Sequence, residues 1–151
     1  MNEKSTILLV DDSESDIFLL RTAFKKAPFS ALLAEVSNGA EAIAYLAGEG
    51  PYSDRNQYPL PVIVLLDLNM PMKNGFDVLE WLRTQPTLRR LTTVILTASL
   101  RMEDVERAYD LGANSFLVKP SSMEELTAMI RTLRDWLHYN HFPPLNEAVH
   151  R

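Results

Sequence analysis

The most apolar run of the chain is VIVLL at residues 62–66, and it is followed directly by DLNMP at residues 67–71. A short continuous apolar run that ends abruptly in an acid is typical of a strand buried on both faces of a parallel sheet. Turn-forming residues come next, with Pro71, Asn74 and Gly75 ahead of a new apolar period. This stretch therefore predicts a buried strand that carries Asp67 at its carboxyl end.

Four further apolar runs have the same character, and they cover Thr6–Val10, residues 31–36, residues 93–96 and Ser115–Val118. Amphipathic stretches alternate with the strands, and their apolar residues recur at helical spacing over residues 13–26, 38–46, 76 to about 86, 102–111 and 122–137. Ser13, Asn38 and Ser122 stand where N-caps belong, and Gly112 stands where a helix ends. Strict alternation of strands and helices indicates an α/β fold with a parallel sheet and helices on both faces.

Residues 47–61 interrupt this alternation with three prolines and two glycines and no apolar period. A loop of this length exceeds the usual connection between elements. Two interpretations remain open, a tolerated surface insertion and a segment that contacts a partner.

Length, composition and charge exclude several classes of protein. The chain has 151 residues, no cysteine and a net charge of −5, with 20 acidic against 15 basic residues. This length suits one domain, and the lack of cysteine excludes disulfides, thiolate metal sites and cysteine nucleophiles. The acidic balance argues against direct nucleic-acid binding. With neither a signal-peptide pattern nor a membrane-length apolar run, we expect a cytoplasmic protein.

Polar side chains stand at the ends of four predicted strands: Asp11 and Asp12, then Asp67, Thr97 and Lys119. In an open α/β sheet, ligands bind outside the carboxyl ends of the strands. If strands 1 and 3 are neighbours, three carboxylates share one pocket with a hydroxyl and an ammonium at its edge. One carboxylate must then protonate, or a cation must bind.

Carboxylate oxygens without histidine or cysteine favour a hard divalent cation, Mg²⁺ or a related ion such as Mn²⁺. Lys119 adds a positive charge and Thr97 a hydroxyl donor, which together suit an incoming phosphoryl group. A carboxylate can act as the nucleophile and form an aspartyl phosphate. Asp67 ends the most buried predicted strand and is the candidate acceptor.

The chain resembles the receiver domain of two-component response regulators. The resemblance is carried by Asp11-Asp12, Leu66-Asp67-Leu68-Asn69-Met70-Pro71, Gly75, Thr97-Ala98 and Lys119-Pro120, and it extends over most of the chain. It implies a flavodoxin-like, doubly wound sheet of five parallel strands in the order 2-1-3-4-5 with five helices. We assign residues 1–142 to the receiver domain and residues 143–151 to a C-terminal tail.

The resemblance also implies roles for individual residues. Asp67 would be the phosphoacceptor, supplied by a phosphohistidine of a sensor histidine kinase. Mg²⁺ would be held by Asp11, Asp12, Asp67 and the backbone carbonyl of Asn69. Lys119 and Thr97 would stabilise the phosphoryl group.

Further roles concern signalling and turnover. Thr97 and Phe116 would form a conformational switch, and Asn69 and Ser99 would tune hydrolysis of the aspartyl phosphate. The peptide bond between Lys119 and Pro120 would be cis. Such a protein is not an enzyme in the ordinary sense, because it catalyses only its own phosphorylation and dephosphorylation.

The resemblance implies several protein partners. The long loop and the extended last helix are similar to those of small regulators that work with phytochrome kinases. With no output domain expected, the signal would leave by relay, by an unknown downstream protein, or by a homodimer through helix 4, strand 5 and helix 5. Trp136, Tyr139 and Phe142 either dock on the core or form such a patch, and His138 and His141 are expected to be surface residues.

Two alternatives belong to other classes of protein. A phosphatase-like hydrolase fits poorly, because Asp67 is followed by Leu68 and Asn69 and lies on the third strand rather than the first. A receiver-fold interaction module without phosphorylation is disfavoured by the complete set of acids, threonine and lysine.

Overall fold

The computed structural model describes residues 5–145. Its strands are β1 Thr6–Val10, β2 Leu32–Val36, β3 Ile63–Leu66, β4 Thr92–Thr97 and β5 Ser115–Val118. Its α-helices are α1 Glu14–Lys26, α2 Gly39–Ala47, α3 Gly75–Thr84, α4 Met102–Asp110 and α5 Met123–Tyr139. The predicted alternation of strands and helices is confirmed, with end shifts of one or two residues.

The five strands form one parallel sheet in the order β2-β1-β3-β4-β5. This is the predicted flavodoxin-like order, and β1 and β3 are indeed neighbours, with Val10 paired to Leu66. The change in winding direction lies between these two strands, where such folds bind their ligands. The acids that follow β1 and β3 are therefore brought to the same edge of the sheet.

Two hydrophobic cores lie on opposite faces of the sheet. In β1, Leu8 and Val10 join the core beneath α2, α3 and α4, whereas Ile7 and Leu9 join the core beneath α1 and α5. Successive side chains of a strand point to opposite faces, so a strand between two cores must be apolar throughout. This requirement explains the unbroken apolar runs.

Side-chain caps define where several helices begin. Ser13, Asn38, Asn74 and Ser122 each accept a hydrogen bond from a backbone N–H in the first turn of the following helix. Gly112 follows the end of α4 and has a φ of 101°, a backbone conformation that residues other than glycine rarely adopt. The sequence predictions at Ser13, Asn38, Ser122 and Gly112 are confirmed.

The loop between α2 and β3 contains a short 3₁₀ turn, Gly50–Tyr52. Arg55 donates hydrogen bonds to the carbonyls of Tyr45 and Leu46 at the end of α2. The rings of Tyr45, Tyr52 and Tyr58 pack against one another at centroid distances of 5.1–6.0 Å. The loop is thus anchored to the end of α2.

Candidate functional site

Three carboxylates meet at the carboxyl edge of the sheet. Asp11, Asp12 and Asp67 each offer an oxygen atom within 4.8 Å of the other two. Asp11 and Asp67 are buried, and Asp12 is exposed. The backbone N–H groups of Asp11 and Asp67 donate to the carbonyls of Val36 and Val10, which continue the sheet pairing past the strand ends. The predicted convergence of these acids is therefore observed.

Gly75 lets α3 begin directly against the strand that carries Asp67. A Cβ atom at Gly75 would lie 2.3 Å from the backbone oxygen of Asp67, which is well inside van der Waals contact. The N–H of Gly75 donates to the carbonyl of Leu68 at 3.0 Å, and the N–H of Leu68 donates to Oδ1 of Asp67 at 2.9 Å. This close packing fixes both the backbone and one carboxylate oxygen of Asp67.

Lys119 reaches the same site from the end of β5. Its Nζ donates to Oδ2 of Asp11 at 2.6 Å and to Oδ2 of Asp16 at 2.8 Å, and it lies 3.8 Å from Oδ2 of Asp67. Asp16 belongs to α1, and sequence reasoning assigned it no role in this site. In the sequence, Asp16 is recognisable only as an acid in the first turn of a predicted helix. Such acids are common in helices that have no functional site, so the sequence does not single out Asp16.

The predicted cis bond between Lys119 and Pro120 is wrong, because no peptide bond within residues 5–145 is cis. The trans isomer is favoured by about 0.5–1 kcal/mol before any tertiary contact. The N–H of Lys119 donates to the carbonyl of Thr97 at 2.7 Å, which extends the pairing of β5 with β4. From that position the lysine side chain reaches Asp11 with the following bond in the trans form.

The remaining predicted site residues lie around this edge with different degrees of burial. Thr97 is fully buried at the end of β4, and its Oγ1 accepts from the N–H of Ser99 at 3.4 Å. Ser99 in turn donates through Oγ to Asp104 at 2.6 Å. Phe116 is half-buried against the core beneath α4, and Asn69 is exposed two residues after Asp67.

Burial and neighbouring charges shift the ionisation of two groups in the site. Burial raises the pKa of Asp67 and Asp11 adds to the rise, which together outweigh the lowering by Lys119 and by hydrogen bonds from Thr97 and Leu68. Burial lowers the pKa of Lys119, but hydrogen bonds to Asp11 and Asp16 and the charge of Asp67 more than reverse this, so the net pKa is raised. The site thus concentrates negative charge that one ammonium only partly offsets.

The donor set fits a hard divalent cation. Two buried carboxylates and one exposed carboxylate face a common point, and such oxygen ligands match the preference of Mg²⁺ and Mn²⁺. Burial is the main cause of the raised pKa of Asp67, and a cation bound here would favour the charged form of the carboxylate.

The family model for the response regulator receiver domain matches residues 7–131. The chain belongs to this family. It is 34% identical over 137 residues to the response regulator Rcp1 of Synechocystis, an alignment covering 90% of this chain and 91% of Rcp1. The expected family is therefore confirmed, and with it the assignment as a two-component signalling protein.

Solved structures of similar proteins share the fold over almost the whole receiver. The phosphorylated cyanobacterial phytochrome response regulator RcpA is 33% identical with a TM-score of 0.85, over 93% of this receiver chain and 99% of RcpA. A response regulator in red light signaling of R. palustris is 36% identical with a TM-score of 0.87, over 92% and 98% of the two chains.

A structure of Rcp1 with bound Mn²⁺ is 34% identical to this receiver with a TM-score of 0.81, over 92% of this chain and 99% of that one. In this chain, the group formed by Asp11, Asp12 and Asp67 supplies the oxygen donors that Mg²⁺ or Mn²⁺ prefers, which agrees with the expected cofactor. Receiver membership also implies a histidine kinase as the partner.

The C-terminal aromatic residues divide between the core and the surface. Phe142 packs against the core beneath α1 and α5, whereas Trp136 and Tyr139 are 47% and 79% exposed. His138 and His141 are exposed, as expected. The assigned tail begins at residue 143, and residues 146–151 of it lie outside the described part of the chain.

Within residues 5–145, no helix combines the length and apolarity that crossing a bilayer requires.

Proposed function

We propose that Asp67 is the phosphoacceptor of this receiver and that the neighbouring residues have the roles expected from the sequence. The proposal is supported chiefly by one observation, a buried carboxylate with two further acids within 4.8 Å and the Lys119 ammonium 3.8 Å away. A buried nucleophile beside fixed positive charge suits phosphoryl transfer, which depends on positioning and on charge stabilisation.

In the transfer, a carboxylate oxygen of Asp67 attacks the phosphorus of a phosphohistidine on the kinase. The bond between phosphorus and the imidazole nitrogen breaks, and the nitrogen keeps the electron pair. Lys119 and the hydroxyl of Thr97 bind the phosphoryl oxygens as charge develops on them. Asp67 thereby becomes an aspartyl phosphate, and the histidine, which carries a proton on its other ring nitrogen, leaves as a neutral imidazole.

The divalent cation would be held by Asp11, Asp12, Asp67 and the backbone carbonyl of Asn69. When bound, it supplies positive charge to the transferring phosphoryl group. Asp11 also has a structural role, since its Oδ1 accepts from the N–H of Ser13 at 3.0 Å while Oδ2 binds Lys119. Asn69 and Ser99 lie near enough in sequence to their neighbours Asp67 and Thr97 to tune access of the hydrolytic water.

Signalling would proceed through Thr97 and Phe116. Thr97 is buried, and its hydroxyl lowers the pKa of Asp67 by hydrogen bonding. A phosphoryl group on Asp67 would therefore draw the hydroxyl of Thr97 toward the phosphoryl oxygens. Movement of Thr97 would leave space that the half-buried ring of Phe116 fills. Such a pair is a two-state element that local charge can bias.

The output surface would be the face formed by α4, β5 and α5, used for a homodimer or for an unknown downstream protein. Support comes from exposed apolar side chains on all three elements, namely Tyr109, Val118 and Trp136, which are 49%, 40% and 47% exposed. Aromatic side chains such as Tyr109 and Trp136 are enriched at protein interfaces.

The acceptor assignment is tested by labelling with acetyl phosphate, followed by intact mass. The wild-type protein should gain one phosphoryl group in the presence of Mg²⁺ and none with a chelator. Asp67→Asn should gain none, while the control Glu80→Gln, which removes an exposed charge on α3, should label normally. Equal labelling of Asp67→Asn and wild type would refute the assignment.

We further propose that the kinase is of the phytochrome type, because three similar structures are of regulators with phytochrome or bacteriophytochrome in their names. Phosphotransfer from a panel of purified histidine kinases should be fastest from such a kinase. Faster transfer from an unrelated kinase would contradict the assignment to a phytochrome-type kinase.

The proposed homodimer is tested by light scattering before and after phosphorylation. A protein that stays monomeric after phosphorylation would rule out the homodimer.

A further inference from the structure

The ammonium of Lys119 is held by two carboxylates, neither of which is the acceptor. Its hydrogen bonds run to Asp11 at 2.6 Å and to Asp16 at 2.8 Å, whereas Oδ2 of Asp67 is 3.8 Å away, beyond hydrogen-bonding distance. An ammonium has three donors. Asp11 and Asp16 therefore engage two of the donors, and one remains for a group bound at Asp67.

Asp16 is fixed in place by the start of α1. Its N–H donates to Oγ of the N-cap Ser13 at 3.2 Å, and Ile17 and Leu20 anchor the helix in the core. Unlike Asp11, Asp16 does not belong to the group of three carboxylates that share one cation-sized space. It is thus the carboxylate in the site that can bind Lys119 without also facing the cation.

We infer that Asp16 is a positioning residue that holds Lys119 away from the acceptor oxygen before phosphorylation. Without Asp16, the nearest free negative charge for the ammonium is Asp67, at 3.8 Å. A direct hydrogen bond there would occupy lone pairs that must attack phosphorus. Held by Asp16, the ammonium leaves that oxygen free and stands where the incoming phosphoryl oxygens arrive. This inference rests on the proposed role of Asp67.

Removal of the Asp16 charge should slow the phosphorylation of Asp67, and this effect should depend entirely on the presence of Lys119. A charge-assisted hydrogen bond, discounted because the Asp16 side chain is 37% exposed, leads us to expect labelling of Asp16→Asn to be about three- to tenfold slower than wild type. The matched control is Glu14→Gln, which removes an equal charge from the same turn of α1 and should label at the wild-type rate.

The experiment measures the rate of labelling by acetyl phosphate at saturating Mg²⁺ for wild type, Asp16→Asn, Lys119→Met and the double variant. If Asp16 acts through Lys119, Asp16→Asn has no further effect in the Lys119→Met background. An equal slowing in both backgrounds, or an Asp16→Asn variant as fast as wild type or faster, overturns the inference.

A second measurement does not depend on activity. In wild type without metal, the ¹⁵N-detected ammonium of Lys119, assigned by its loss in Lys119→Met, should exchange protons with water slowly because it is doubly bound. In Asp16→Asn its signal should shift and exchange several-fold faster. An unchanged signal overturns the inference even if Lys119→Met labels too slowly to time. Failure of the acceptor assignment is distinct, because it requires labelling of Asp67→Asn.

Discussion

Replacement of Asp67 by asparagine is expected to stabilise the fold while it abolishes phosphorylation. Folding brings the carboxylates of Asp11, Asp12 and Asp67 within 4.8 Å of one another, whereas the unfolded chain keeps Asp67 apart from the other two. Lys119, at 3.8 Å from Asp67, offsets only part of this repulsion. An amide at this position has nearly the shape of the carboxylate and retains an oxygen that can accept from the N–H of Leu68.

The size of the effect follows from these distances. At an effective dielectric constant of about 20, like charges 4.8 Å apart repel by about 3.5 kcal/mol, and the ammonium at 3.8 Å attracts by about 4 kcal/mol. Solvent screens the contribution of the exposed Asp12. The net effect of these charges is therefore small, and burial of the Asp67 carboxylate, the largest cause of its raised pKa, is the main source of the expected gain. We expect Asp67→Asn to raise the free energy of unfolding by about 1–2 kcal/mol, or the thermal midpoint by roughly 2–8 °C.

The pH dependence of this gain has a definite sign. Because burial raises the pKa of Asp67 above that of the unfolded chain, the folded protein keeps the proton to higher pH. Stability of the wild type consequently falls as the pH rises from the unfolded pKa through the folded one. Asparagine resembles the protonated acid, so its advantage should be complete above the raised pKa and should disappear at acidic pH where both states are protonated.

Urea denaturation followed by the fluorescence of Trp81 and Trp136 measures this difference, in buffer with a chelator at neutral and at acidic pH. Glu80→Gln is the control for the change in net charge, and it should unfold with the wild type. The reasoning is refuted if Asp67→Asn unfolds at the same urea concentration as wild type at neutral pH. It is also refuted if the gain is equal at the two pH values.

Three further outcomes are expected from the structure. Addition of Mg²⁺ should raise the thermal midpoint of wild type, and Asp12→Asn should reduce this rise, as measured by calorimetry. Gly75→Ala should lower the free energy of unfolding by about 1–3 kcal/mol and slow labelling, because its Cβ would lie 2.3 Å from the backbone of Asp67; denaturation and labelling rates check both effects. Arg83→Met should cost about 2–4 kcal/mol in urea denaturation, since its guanidinium donates to three backbone carbonyls and one side-chain oxygen; a variant as stable as wild type would contradict that expectation.

The strands and the polar residues at their ends could be predicted because both are local patterns. A strand between two cores is apolar over most of its length, as in β1 and β3, and each of these two strands ends just before a buried acid. Parallel pairing then brings Asp11 and Asp67 to one edge, whatever the details of packing. The acceptor candidate was therefore visible without any coordinate.

Contacts between a helix and residues far away in the sequence could not be predicted in this way. Asp16 and Lys119 are separated by 103 positions in the chain, and their pairing depends on how far α1 extends over the edge of the sheet. The N–H of Gly39 donates to the carbonyl oxygen of Lys73, with 3.1 Å between the nitrogen and the oxygen. This close approach depends in the same way on the placement of α2. Neither contact has a periodic signature in the sequence.

The isomer of the bond before Pro120 illustrates the same division. The two isomers of such a bond differ intrinsically by only about 0.5–1 kcal/mol, so the tertiary structure decides between them. Burial of apolar side chains contributes far more to the free energy of folding, so the hydrophobic pattern of the sequence determines the strands, their parallel arrangement and the polar residues at their carboxyl ends. The partner of the lysine at that edge is determined by packing, because several carboxylates compete for one ammonium and only distance distinguishes them.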